Sequence, residues 1–206
     1  MYYNQKLPLN NYVARIETIN WLKPDKNLDK NRVEEIVKTI CDAFGIEAEL
    51  ELRNSLEIAE PHCDSVWDSA TMTAKTTINR IVKNIVWGNI VYFVRDTVGN
   101  IAWEAIRRFI WNIVLKTIQD IVKKADWDSP TIDPLLHYAQ DTIQQIFIDA
   151  ANNAAWGAAD LLAQNIPSYK EKYPNGNFIH LIDLWEMGLY PVGVIDGKFV
   201  VYIPQN

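Results

Sequence analysis

Residues 189–204 read LYPVGVIDGKFVVYIP, and they follow long stretches of helical periodicity. Two strand-like runs, Tyr190–Ile195 and Lys198–Ile203, flank Asp196-Gly197. That dipeptide favours the two-residue turn of a β-hairpin. A lone hairpin is marginal in water, so these strands need a third strand and an apolar face to rest on. One other segment can supply it. In IEAELELR, Ile46, Ala48, Leu50 and Leu52 alternate with Glu47, Glu49, Glu51 and Arg53. Strict alternation is the mark of a strand with one wet face. The expectation is a mainly α (α+β) fold, a helical bundle carrying a small three-strand sheet. Residues 47–53 and 190–203 build that sheet. It ties early chain to late chain, so residues 1–206 read as a single domain.

The helices are punctuated in the usual ways. Asn11 to Leu22 reads as a short helix stopped by Pro24. Asp29 can cap the next helix and Gly45 can end it. Its apolar residues Val33, Ile36, Val37, Ile40, Cys41 and Phe44 lie on one stripe. A cysteine on such a stripe is inert packing. Asn54-Ser55 opens a short helical turn that Pro61 ends. Residues 65–124 are helical in pattern throughout, yet one rod of that length would span about 90 Å. A compact chain of this size has a radius of gyration of about 17 Å. A break is therefore expected, near Asp96 to Asn100, where Gly99 weakens the helix. Asp133-Pro134 starts a further helix running to about Asn165, and Asn177 caps a last one that Gly188 ends.

Eight tryptophans are the unusual item of composition, and such large rings must be buried in a core or at an interface. Two of them belong to a faint repeat, and Trp103 directly follows its middle unit. Trp87-Gly-Asn-Ile-Val returns eleven residues later as Val98-Gly-Asn-Ile-Ala, and more loosely as Trp111-Asn-Ile-Val. That spacing brings glycine and asparagine back to one helix face. Small residues there allow close helix packing, which makes Trp87, Trp103 and Trp111 candidate core or interface aromatics.

The net charge of −6 gives no whole-chain footprint for nucleic acid. It is unevenly spread: residues 29–64 hold ten acids and four bases, residues 65–124 nine bases and four acids. Packing of the two segments side by side accounts for this. A basic face for phosphates or an acidic partner is the sharper reading. The longest charge-free run in the apolar stretch is Asn84 to Val94, eleven residues, where a membrane helix needs about 20. The two cysteines, Cys41 and Cys63, form no disulfide framework, which fits a reducing compartment. MYYNQKLPLNNYVARI lacks the basic start and apolar centre of a signal peptide. A cytoplasmic protein is expected.

Chemistry has few places to reside. His62-Cys63-Asp64 would be an activated thiol only if the ring and sulfur met in space. His137 shares a polar face with Asp141 and Gln144, and His180 pairs at best with Asp183, three residues on. No metal-ligand, phosphate-loop, nucleophile-elbow or dinucleotide motif occurs, and the sequence points to no cofactor and no metal. A pocket is best sought where the early strand meets the basic helices. Arg53, Asn54, Ser55, His62, Arg107 and Arg108 are the candidate ligand-binding residues there.

The order helix, strand, Arg-Asn-Ser-Leu-Glu-Ile-Ala, followed by VWDSA, VWGNI, VGNIAWEAI and AAWGAAD, resembles an uncharacterised bacterial domain family with Trp/Ala-rich helical repeats. The likeness covers residues 28–160. It implies a fold type and no activity. Three functions follow as expectations. The first is a non-enzymatic interaction or assembly protein, using the Trp-rich, Gly/Ala-seamed helices to bind a protein partner or itself. The second is a small anionic-ligand-binding protein or enzyme with a cleft near the sheet. The third is nucleic-acid binding through residues 65–124, which the acidic balance makes the weakest.

Overall fold

Asp29 starts a helix as its sequence context dictates. In the computed structural model its carboxylate accepts from the N–H groups of Asn31 (3.1 Å) and Arg32 (3.2 Å), opening α2 (Lys30–Phe44). Gly45 closes it, and Val33, Val37, Ile40 and Cys41 form the buried stripe. The structure describes residues 6–54, 63–83, 94–107, 132–174 and 176–204, with residues 6–8, 82–83, 132–140 and 142 described by backbone alone.

The sheet is the one the alternation predicts. It contains β1 (Glu49–Arg53), β2 (Tyr190–Ile195) and β3 (Lys198–Tyr202), in the order β1-β3-β2. β2 and β3 form the antiparallel hairpin, with Asp196 at φ 51° and Gly197 at φ 73°. Both central residues at positive φ define the tight turn whose twist suits a hairpin. β1 joins β3 in parallel, with Glu49 opposite Lys198 and Arg53 opposite Tyr202. Parallel pairing requires a long crossover, and the intervening helices provide it. Between Pro191 and Gly193 the hairpin register slips. Gly193 there adopts φ 124°, and a Cβ on it would lie 2.7 Å from the Trp67 indole nitrogen. Only glycine lets that indole approach.

β3 lies in the middle, and Phe199, Val200 and Val201 are all buried. A strand covered on both faces reads as a continuous apolar run. Phe199 and Val201 pack with α2 residues and with Ala74 and Ile78 of α3 (Ser65–Lys83). Val200 packs on the other side, with Tyr12 and Ile16 of α1 (Lys6–Thr18) and with the helical segment α4 (94–107). Both layers are joined by α5 (Ile132–Ala163), which sends Trp156, Ala159 and Ala163 to one and Ala150, Ala154 and Ala158 to the other. The chain then makes α6 (Pro167–Lys172) and α7 (Ile179–Glu186) before the hairpin.

The break expected at Asp96 to Asn100 is absent: α4 runs through it. Packing overrides propensity. Val94, Val98, Ala102 and Ile106 form a buried stripe, and Gly99 brings α4 against α5, 3.5 Å from Ala155 Cβ to a Cβ position and 3.6 Å from Ala151 O. The Gly/Ala seam is thus used between two helices of one chain. Among the described residues, no helix is long and apolar enough to cross a membrane.

Candidate functional site: an aromatic face and a polar cluster

The candidate residues that lie in the described structure are engaged locally. Arg53 donates through Nε to Glu51 Oε1 at 2.7 Å, beside Lys198 Nζ at 3.3 Å from Glu51 Oε2. The bond from Arg53, reinforced by Lys198, holds the Glu51 carboxyl below the ordinary range. Asn54 is an exposed bend after β1. Arg107 is exposed on α4 and donates to Glu104 Oε2 at 3.1 Å. Arg53 and Arg107 therefore each bond a carboxylate two or three residues away. Ser55, His62, Arg108, Trp87 and Trp111 lie outside the described residues.

Polar groups converge elsewhere, where α3 and α5 meet β2. The Tyr190 hydroxyl donates to Asp149 Oδ2 at 2.6 Å, and Gln145 Nε2 donates to Asp149 Oδ1 at 3.0 Å. Burial raises the Asp149 carboxyl above its usual range, against the pull of those two bonds and of Lys75. Cys63 donates to Val192 O at 3.4 Å. Burial, with the carboxylates of Asp68, Asp149 and Asp64, pushes its thiol up to about 11. That is the opposite of an activated nucleophile. Asp64 ties down the hairpin turn instead of assisting Cys63, accepting from the N–H groups of Asp196 (3.3 Å) and Gly197 (3.0 Å).

Two cations stand next to this cluster. Lys75 Nζ lies 5.8 Å, and Arg95 Cζ 5.1 Å, from the centre of the buried Trp156 ring. Cations within about 6 Å of an indole face gain from its quadrupole. Burial lowers the pKa of Lys75, opposed by Asp149 and Asp68. Neither Asp149 nor Tyr190 stands out in sequence. The signal available was a lone carboxylate set between Ile146 and Ala150 of an otherwise apolar stripe.

Among the described residues, the tryptophan left exposed is Trp103, on the α4–α5 flank. Trp103 packs on Phe147, ring centres 5.0 Å apart. It remains 37% exposed, and Ile148, next after Phe147, is 36% exposed. The other described tryptophans are covered: Trp21, Trp156 and Trp185 are buried and Trp67 is half-buried. Met72 and Val66 of α3 are also exposed. His180 Nδ1 lies 3.3 Å from Asp183 Oδ2, a carboxylate that also binds Arg15. Among the described residues, no three His, Cys, Asp or Glu side chains are placed to hold a metal ion.

Hollows open between elements among the described residues. One of about 980 Å³ runs between α2 and β1. Another, about 510 Å³, lies between Phe44, Ser65, Val66, Tyr173 and Asn177. No family model matches the chain, and no curated protein or solved structure is significantly similar to it.

Proposed function

We propose that this is a non-enzymatic interaction or assembly protein, whose contact surface includes the α4–α5 flank around Trp103. One observation carries the reading. Trp103 is a large aromatic side chain packed on Phe147 yet more than a third exposed. Tryptophan dominates binding energy where it becomes fully desolvated by a partner. The suppressed Cys63 thiol and the mutually satisfied Asp149–Tyr190 pair offer no reactive group to set against this.

Native mass spectrometry of the gently purified chain tests the proposal. The expected result is a multiple of 23.7 kDa, or that mass plus a second polypeptide. Trp103→Ala should dissociate the assembly while leaving the circular dichroism spectrum unchanged. A bare monomer at every concentration would overturn it.

A second reading is a site for a small anionic ligand, favoured by Lys75 and Arg95 meeting at one indole. A monomer carrying a small adduct, lost in Lys75→Ala, would move the conclusion there.

A further inference from the structure

The geometry points to the free edge of β1 as a docking strand for an extended segment of another protein, one alternating apolar and basic residues. The inference is independent of the Trp103 flank and stands or falls without it.

The backbone sets the first requirement. Along a strand, N–H and C=O of one residue point to the same side, and the side alternates. The Arg53 carbonyl accepts from Ile203 N–H at 2.8 Å, so it faces β3. Glu51 and Glu49 face the same way, and Leu50 and Leu52 turn their backbone groups outward. Among the described residues β1 has one strand neighbour, β3. An unpaired strand edge is a template for a further strand.

The groove sets the second. The hollow of about 980 Å³ lies directly against this edge, beneath α2. Val37, Cys41, Ile46, Ala48, Leu50 and Leu52 give it an apolar floor. A strand added outside β1 would place alternate side chains on that floor, as the sheet's own apolar face does.

Charge selects the occupant. Glu47 and Glu49 are exposed at the edge and make no ion pair among the described residues, and with Glu34 and Asp42 they outnumber Lys30 and Lys38 around the hollow, while Glu51 is already held by Arg53 and Lys198. A second copy of this chain paired through β1 would set glutamates against glutamates, and like charges directly opposite destabilise a sheet. A segment with lysine or arginine at the solvent-facing positions would pair with them instead.

The test uses the full chain and a fluorescein-labelled hexapeptide of alternating lysine and valine, read by anisotropy. Saturable binding that weakens with salt is expected, with none for the glutamate–valine counterpart. Reversing the edge charge with Glu47→Lys and Glu49→Lys should weaken binding about tenfold. Leu50→Pro should abolish it, because it removes an outward N–H and spares the β1–β3 ladder. The charge reversal keeps the test decisive if the proline variant does not fold. Glu171→Lys, on α6, should leave binding unchanged. Absence of binding at millimolar peptide, or binding indifferent to the Glu47 and Glu49 reversal, overturns the inference. So does a dimer of the unmodified chain that Leu50→Pro splits, which would make a second copy the occupant.

Discussion

Asp160 offers the sharpest test of how the C-terminal elements are held. It is wholly buried on α5. Its Oδ1 accepts from the Tyr169 hydroxyl at 2.7 Å, and Oδ2 from the N–H groups of Asn177 (2.5 Å) and Ile179 (3.4 Å). Asp160→Ala strands two strong donors and one weak one away from water. Each unmet buried donor costs about 1–3 kcal/mol, so the loss should be about 3–5 kcal/mol. In a chain of this size that lowers Tm by about 10 °C. Asp160→Asn should cost about 1 kcal/mol or less. Its amide can donate to the Tyr169 oxygen while its carbonyl keeps the two backbone donors. Burial raises the Asp160 carboxyl above its ordinary 3.8, against the bonds from Tyr169 and the backbone. A raised folded value means a contribution complete below the unfolded value and lost as pH rises through the folded one. The asparagine variant should therefore gain on the wild type as pH rises above about 4. Urea and thermal unfolding from pH 4 to pH 8 measure all three. An alanine variant within about 1 kcal/mol of wild type, or an asparagine variant equally damaged, would refute the reasoning.

Three further outcomes are expected. Gly99→Ala should raise stability by about 0.5–1 kcal/mol, because its Cβ would meet Ala155 at 3.5 Å, an ordinary contact. Gly99→Leu should cost about 1–3 kcal/mol by wedging α4 off α5, and urea midpoints separate the two. At pH 8 iodoacetamide should alkylate Cys63 at least about a hundredfold more slowly in the native than in the unfolded chain, since its thiol is pushed up to about 11. Equal rates would overturn that. Burial alone would raise the Asp183 carboxyl, but bonds from His180 and Arg15 hold it below 3.8. Its contribution is then complete above about pH 4 and lost as pH falls through the lower folded value. Arg15→Ala should cost about 1 kcal/mol at neutral pH and nothing in acid, as acid unfolding followed by circular dichroism would show.

Local signals made much of the fold legible. Asp196-Gly197, the alternation around β1 and the Asp29 and Gly45 caps each act over a few residues, and each stands as read. What failed to show was set at long range. Nothing in ELELR specifies parallel pairing with β3; the direction depends on where the crossover helices return the chain. Asn177 reads as a helix cap, yet its own N–H is held by Asp160, seventeen residues back in sequence. Gly99 reads as a helix break because propensity cannot register the facing α5 alanines. The candidate sites divide the same way. Trp103 was legible from size alone as a core or interface aromatic, and the structure leaves it partly exposed, whereas Lys75, Asp149 and Tyr190 meet from three separate elements and leave no spacing to find.

The position of β3 also dictates the order of events during synthesis. Glu49 and its partner Lys198 are about 150 residues apart. At about 5–20 residues per second, β1 leaves the ribosome roughly 10–30 seconds before that partner exists. Contacts so distant in sequence are slow to form, because loop-closure entropy is met before they give any return. The strand made last of the three is the one in the middle. Until it arrives, β1 lacks its one strand neighbour among the described residues. The sheet therefore cannot grow outward from an early nucleus. It is completed by one late arrival, which adds Phe199 and Val201 to one apolar layer and Val200 to the other.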